Sequence, residues 1–205
     1  MTSATETSPD WAFVVSELIQ ARQTVLPKRL VEPGPDAGQT QAILAAAAAA
    51  PDHLQLLPWR FILVPAGQRA TLAEVFARAL SERDPQATPE QLAQAREKAF
   101  RAPLLMLAVV DGARGDPEVD LNERILSAGC AVQNMLLMAT ALGFGSALTS
   151  GKALKSDTLR ACFGLDASEQ ALCFVSVGTV LSRKPARARP VVADYVNTLG
   201  SDPVS

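Results

Sequence analysis

Ala49-Ala50-Pro51-Asp52-His53-Leu54-Gln55-Leu56-Leu57-Pro58-Trp59-Arg60-Phe61-Ile62-Leu63-Val64 is the stretch from which the rest of the chain can be read. An alanine-rich helical run stops at Pro51, because proline disfavours α geometry in the residue before it. A polar elbow follows, Asp52-His53-Leu54-Gln55, and it carries the only histidine of the chain. Pro58 and Trp59 then lead into Phe61-Ile62-Leu63-Val64, a short apolar run of strand type. Proline at both ends stiffens this helix-to-strand corner and holds polar side chains at an element end, where binding groups commonly sit. Taken alone, the stretch is equally compatible with an ordinary loop and a surface histidine.

The totals narrow the class. A chain of 205 residues is long enough for one well-buried domain, and a single domain over 1–205 is expected. The formal net charge of -2 gives no electrostatic footprint for nucleic acid or an anionic membrane. Apolar residues make up 48% and the mean hydropathy is +0.14. Yet the longest apolar runs, Ala42 to Ala50 and Leu104 to Val110, fall well short of the roughly 20 residues a spanning helix needs. The surplus is read as a second buried surface, most simply a homodimer interface. Met1 to Asp10 is acidic and Ser/Thr-rich, with no secretion signal, and residues 1–9 are expected to be disordered. Cys130, Cys162 and Cys173 lie apart in apolar surroundings, as buried thiols in a reducing cytoplasm do. One histidine and no Cys-x-x-Cys argue against a structural zinc site.

Along the chain, Asp10 is placed to cap a helix carrying Trp11, Val14, Val15, Leu18 and Ile19 at helical spacing. Its end brings Arg22-Gln23-Thr24 close to Lys28 and Arg29, a cation-rich segment suited to a phosphate or simply to solvent. Asp36 and Gln39 form a capping box before Ile43, Leu44 and the alanines that run to Ala50. Gln68 to Leu80 reads as an amphipathic helix, and Thr88-Pro89-Glu90-Gln91 as the start of another that runs to about Phe100. Such a pair covers a site in some proteins and is ordinary surface packing in more. Leu104 to Val110 reads as a central strand covered on both faces.

A long helix from about Leu121 is apolar round much of its circumference, the pattern of a large core or interface, and Gly143 ends it. Phe144 to Gly151 is a small-residue segment with backbone and hydroxyls expected to be free for a ligand. Gly143-Phe144-Gly145 lacks the third glycine of a dinucleotide fingerprint and follows a helix, and no Gly-x-Ser-x-Gly is present. Ser156 caps a short helix ending at Gly164, and Ala171 to Val177 is the last core strand, with Gly178-Thr179 turning out of it. Arg183 to Arg189 is a second basic cluster, followed by a Pro/Val-rich tail over 190–205 expected to wrap on a neighbour.

In this order the pieces resemble the FMN-dependent nitroreductase family over roughly residues 12 to 195, and in particular a short-chain branch with a Pro-Asp-His elbow. The likeness is carried by Arg22-Gln23-Thr24 after the first helix and by Ala50-Pro51-Asp52-His53 through Pro58-Trp59 before a strand. Ala128-Gly-Cys-Ala-Val-Gln-Asn-Met135 with Ala141-Leu-Gly-Phe-Gly145, and Cys173-Phe-Val-Ser-Val-Gly-Thr179, complete it.

The resemblance implies an α+β fold, a mostly antiparallel sheet flanked by helices, in an intertwined homodimer with FMN at the interface. It implies that Arg22, Gln23 and Thr24 bind the FMN phosphate, completed by Lys184 or Arg187. Pro51, Asp52, His53 and Gln55 would reach the flavin from the partner subunit, and Leu148, Thr149, Ser150 and Gly151 would line the other side of the ring. Leu26 stands where the family carries a cation near flavin N1, so Arg29 is the expected substitute. Gln55 and Leu57 replace the family's asparagine and glutamine. The implied activity is NADH or NADPH oxidation coupled to a nitroaromatic or quinone-like acceptor by a ping-pong route, with no side-chain general base. A flavin-binding protein without catalysis on the same fold is the alternative, and a hydrolase or transferase built on His53 finds no nucleophile motif.

Overall fold

The structure is a computed structural model that describes residues 10–183, 185 and 188–200. Helix α1 (Trp11–Ala21) begins where Asp10 accepts a hydrogen bond from the Phe13 amide, as the capping pattern requires. Strand β1 (Leu30–Val31) is followed by α2 (Ala37–Ala46), which opens on the reciprocal Asp36–Gln39 capping box. A 3-10 turn over Ala47–Ala49 carries α2 to the proline elbow. Then come β2 (Trp59–Leu63), α3 (Arg69–Arg83) and α4 (Pro89–Glu97), the last with its Thr88–Gln91 capping box. Strand β3 (Leu104–Asp111), α5 (Leu121–Ala141), β4 (Gly145–Thr149), α6 (Asp157–Phe163) and β5 (Glu169–Val180) complete the order.

The strands form one sheet in which every ladder is antiparallel. Both β3 and β4 pair with residues 174–177 of β5, so they flank it on opposite edges, with β2 beyond β3. Strand β1 pairs with the last residues of β5, Leu30 opposite Val180. Side chains alternate between two cores. Met106 and Ala108 of β3, with Val175 and Val177 of β5, pack against α2 and α5. Leu105, Leu107, Val109 and Phe174 face the other way, against α3 and α6. Burial on both faces explains why β3 reads as an unbroken apolar run.

Three expectations change. Residues 145–149 are not a free segment but strand β4, because β5 has a second edge opposite β3 that needs a partner and small residues fit beside it. Gly178-Thr179 does not turn the chain out. Strand β5 runs on to Val180, and a Cβ at Gly178 would stand 2.5 Å from Pro103, a close approach that only glycine permits. Cys162 is exposed on short α6 rather than buried, whereas burial of Cys173 pushes its thiol pKa up to about 11. Gly143, with φ +86°, closes α5 in a Schellman arrangement, the Phe144 amide donating to the Ala139 carbonyl.

Candidate functional site

Two buried arginines shape the loops from which the site is built. Arg69 at the start of α3 donates to the carbonyls of Val64, Ala99 and Pro103 at 3.0, 2.8 and 2.9 Å. It thereby fixes the 98–103 segment that carries Lys98 and Arg101. Arg124 on α5, 1% exposed, donates to the carbonyls of Val119, Arg114 and Asp116 and organises the 112–120 loop. Carbonyl groups that would otherwise lack partners are satisfied by these guanidinium groups, each with several donors in a fixed fork.

On one edge of the sheet, the segment after α1 runs beside β4. Thr24 bridges Ser146 in parallel, and the Val25 amide donates to the Ser146 carbonyl at 2.9 Å. Gly145 permits this contact, since a Cβ there would lie 2.5 Å from Val180, 2.8 Å from Leu30 and 3.1 Å from Val25. Arg22 and Gln23 are half-buried, and Arg189 donates to the Arg22 carbonyl at 3.0 Å. Lys184 and Arg187 lie outside the described residues.

Next to this segment a cavity of about 670 Å³ opens between β4, β5, α3 and α4, within the size range of ligand pockets. Leu26, Pro27 and Lys28 form one wall, and Thr149, Ser150 and Gly151 another. Leu105, Phe174 and Ser176, from the sheet face turned toward α3, also line it. Arg83, Lys98, Arg101 and Lys152 add positive charge. Arg29 and Leu148 are not among the lining residues: the Arg29 carbonyl accepts from the Leu181 amide, and Leu148 is 44% exposed on β4. Lys152 follows directly on a predicted segment and could have been found in the sequence. Arg83 and Lys98 sit at the ends of helices that read only as solvated cover, and Arg101 follows just after.

The elbow lies elsewhere. Leu54, Gln55 and Leu57 have φ of 57°, 53° and 49°, left-handed values costly for residues with a side chain and concentrated at functional sites. Asp52 holds the bend by accepting from the Leu57 amide at 2.6 Å, and Arg114 donates to the Leu56 carbonyl. His53 and Gln55 are exposed, as is Pro51, and the His53 ring is 2.8 Å from Glu123 on α5. Thr149 is level with Phe174, Leu107 and Ile62 across the sheet. Trp59, where the elbow ends, is thus three strand spacings and three residues away, roughly 17 Å. Within one protomer, then, Arg22 to Thr24 and Thr149 to Gly151 share a corner that the Pro51–Gln55 elbow does not reach.

Residues 20–179 match the family model described as "Nitroreductase family". The chain belongs to the nitroreductase family. A Haemophilus influenzae protein named "Putative NAD(P)H nitroreductase" is 34% identical over 84% of this chain and 93% of its own length. The nitroreductase-like family protein of Bacillus cereus superposes with a TM-score of 0.76 at 17% identity, covering 98% of this chain and all of that one. A Bacteroides fragilis nitroreductase solved with bound FMN gives 0.68 at 22% identity over 90% and 98% of the two chains. The nitroreductase-like fold expected from the sequence is therefore present, and the family's relatives support an oxidoreductase. Among the described residues no helix is long and apolar enough to cross a membrane.

Proposed function

We propose that this chain is an FMN-dependent oxidoreductase that passes electrons from NADH or NADPH to nitroaromatic or quinone-like acceptors by a ping-pong route, working as a homodimer. The observation that carries the reading is the cavity walled by Leu26, Pro27 and Lys28, which directly follow Arg22-Gln23-Thr24 in the chain, with small residues on another wall and a cationic rim. The fit to a flavin nucleotide is chemical. Phe174 and Leu105 offer apolar surface, Thr149 and Ser150 offer hydroxyls and amides, and the Arg101 Nε is buried without a partner among the described residues. When bound, FMN supplies reversible two-electron chemistry that side chains lack.

The protein's own contribution is binding, charge and exclusion of water. Arg22 and Thr24, completed by Lys184 or Arg187, hold the phosphate, and the hydrogen bond from Arg189 to the Arg22 carbonyl supports this reading. Lys28 and Lys98 place positive charge at the cavity wall, where it would stabilise negative charge on a bound cofactor. For a nitro acceptor, NAD(P)H and one proton convert the nitro group to a nitroso group and water, with NAD(P)⁺ released before the acceptor enters.

A second protomer accounts for two features of the single chain. The elbow is remote from its own chain's cavity, and α1 exposes Trp11, Phe13, Val14, Val15 and Ile19 with no buried residue. In the homodimer those apolar faces are covered and His53 and Asp52 complete the partner's site. The test is the absorbance spectrum and solution mass of the purified protein, followed by NAD(P)H oxidation with menadione or a nitrofuran. A yellow dimer that turns over is expected. A colourless protein that takes up no FMN would sink the reading.

A further inference from the structure

We infer that the second compound admitted to this cavity, the electron acceptor, carries a negative charge: an aromatic carboxylate or comparable anion rather than a neutral ring. The inference rests on the flavin reading above and names the substrate class of that same site.

Lys28, Arg83, Lys98, Arg101 and Lys152 all line the cavity, and among the described residues no lining side chain is acidic. The chain as a whole has 21 acidic and 19 basic residues, so this concentration is local and not a consequence of composition. Nor are the cations neutralised by neighbours. Arg101 is 3.4 Å from Glu97, a poor contact, while the other four have no carboxylate within 4.0 Å among the described residues. The nearby carboxylates are engaged away from the cavity: Glu82 accepts from Arg78 and Thr158, and Glu74 from Arg96. The Arg101 Nε, buried and without a partner, is a donor that the fold leaves unsatisfied.

Like charges gathered round one concavity repel each other and focus field into it, which raises the local concentration of an anion and its rate of entry. On the reading above, the phosphate of FMN is held at the corner of Arg22 and Thr24, to which Arg189 donates a hydrogen bond, and none of these three residues lines the cavity. Arg83, at the end of α3, and Lys152, in the turn after β4, belong to no part of that cofactor set. Their charge is therefore directed at what enters beside the flavin.

Benzoate and benzamide, alike in ring and size and different in charge, separate the outcomes. Each is titrated into the oxidised holoprotein by calorimetry and by the flavin absorbance change. Benzoate should bind at least about tenfold more tightly, and the difference should shrink as salt is raised, because screening acts on the charge alone. In the doubly substituted Arg83→Glu, Lys152→Glu protein the preference should vanish or reverse, and kcat/KM for 4-nitrobenzoate relative to 4-nitrobenzamide should fall in parallel. Equal affinities for the two ligands, or a benzoate preference indifferent to salt, would overturn the inference while leaving the flavin reading intact. The salt series needs no variant, so a misfolded double variant does not shield the claim. A protein that binds no FMN would instead remove the flavin reading itself.

Discussion

The His53 ring nitrogen Nδ1 lies 2.8 Å from Oε2 of Glu123, a contact between residues seventy apart that ties the elbow to the first turn of α5. With side chains 59% and 52% exposed, the pair contributes little to stability, on the order of 0–1 kcal/mol. Its value is orientation: it fixes the imidazole on a backbone already bent by three left-handed residues. Replacing His53 with alanine, or Glu123 with glutamine, should leave the melting temperature nearly unchanged and weaken FMN retention. Full retention with an unaltered visible spectrum in His53→Ala would count against any contact between the elbow and the cofactor.

At the far edge of the sheet, Arg60 grips Glu169 with two hydrogen bonds of 2.6 and 2.8 Å, and Glu169 also accepts from the Asp166 amide at 3.0 Å. The Arg60 hydrogen bonds hold the Glu169 carboxyl below its ordinary pKa of 4.5, against the opposing effect of burial. A depressed folded-state pKa means that the stabilisation is complete above the unfolded value of about 4.5 and is lost as pH falls through the lower, folded one. Thermal melts from pH 6 down to about pH 3 should show the wild type losing its advantage over Glu169→Gln. At neutral pH that variant should be less stable by about 1–3 kcal/mol. Parallel pH profiles for the two proteins would refute the assignment.

Gly145 is where the Arg22–Arg29 segment closes on β4. Alanine there would crowd Val180, Leu30 and Val25 at once, at 2.5, 2.8 and 3.1 Å. Overpacking of this kind costs about 1–3 kcal/mol. The relief available is to push Val25 outward, which moves Thr24 from its bridge to Ser146 and opens the corner proposed to hold the phosphate. Gly145→Ala should therefore lower both the melting temperature and the FMN content. A protein with normal FMN content despite a lowered melting temperature would separate the packing role from the binding role.

Helix α1 exposes Trp11, Phe13, Val14, Val15 and Ile19 in the single chain, with Val15 at 48%. An apolar stripe of this length on an amphipathic helix marks a contact face. Val15→Glu should shift the protein toward monomer in light scattering and, by removing the partner's elbow, reduce FMN binding. If the variant remains a dimer with its flavin, α1 is not at the interface.

How much of this was legible beforehand depends on the range of the signal. Asp10, Asp36–Gln39, Thr88–Gln91, Ser156 and Gly164 act within one helical turn, and each caps or ends its helix as read. The β4 segment was missed because Gly-Ser-Ala-Leu-Thr has no β-branched run before its last residue. It becomes a strand only because β5 offers it an edge. Arg83, Lys98 and Arg101 were missed because a cation at or just after the end of a solvated helix has no local mark of the cavity it faces.

The sequence by itself determined the capped helix starts, the central strands β3 and β5 and the order of motifs that places the chain among nitroreductases, because caps, periodicity and short motifs are properties of neighbouring residues. Only the tertiary structure decided that Lys28 rather than Arg29 lines the cavity, that five cations among the described residues surround it, and that the elbow stands at the opposite edge of the sheet. Those facts depend on which distant segments meet. That is settled by packing two cores against one sheet, and no spacing along the chain encodes it directly.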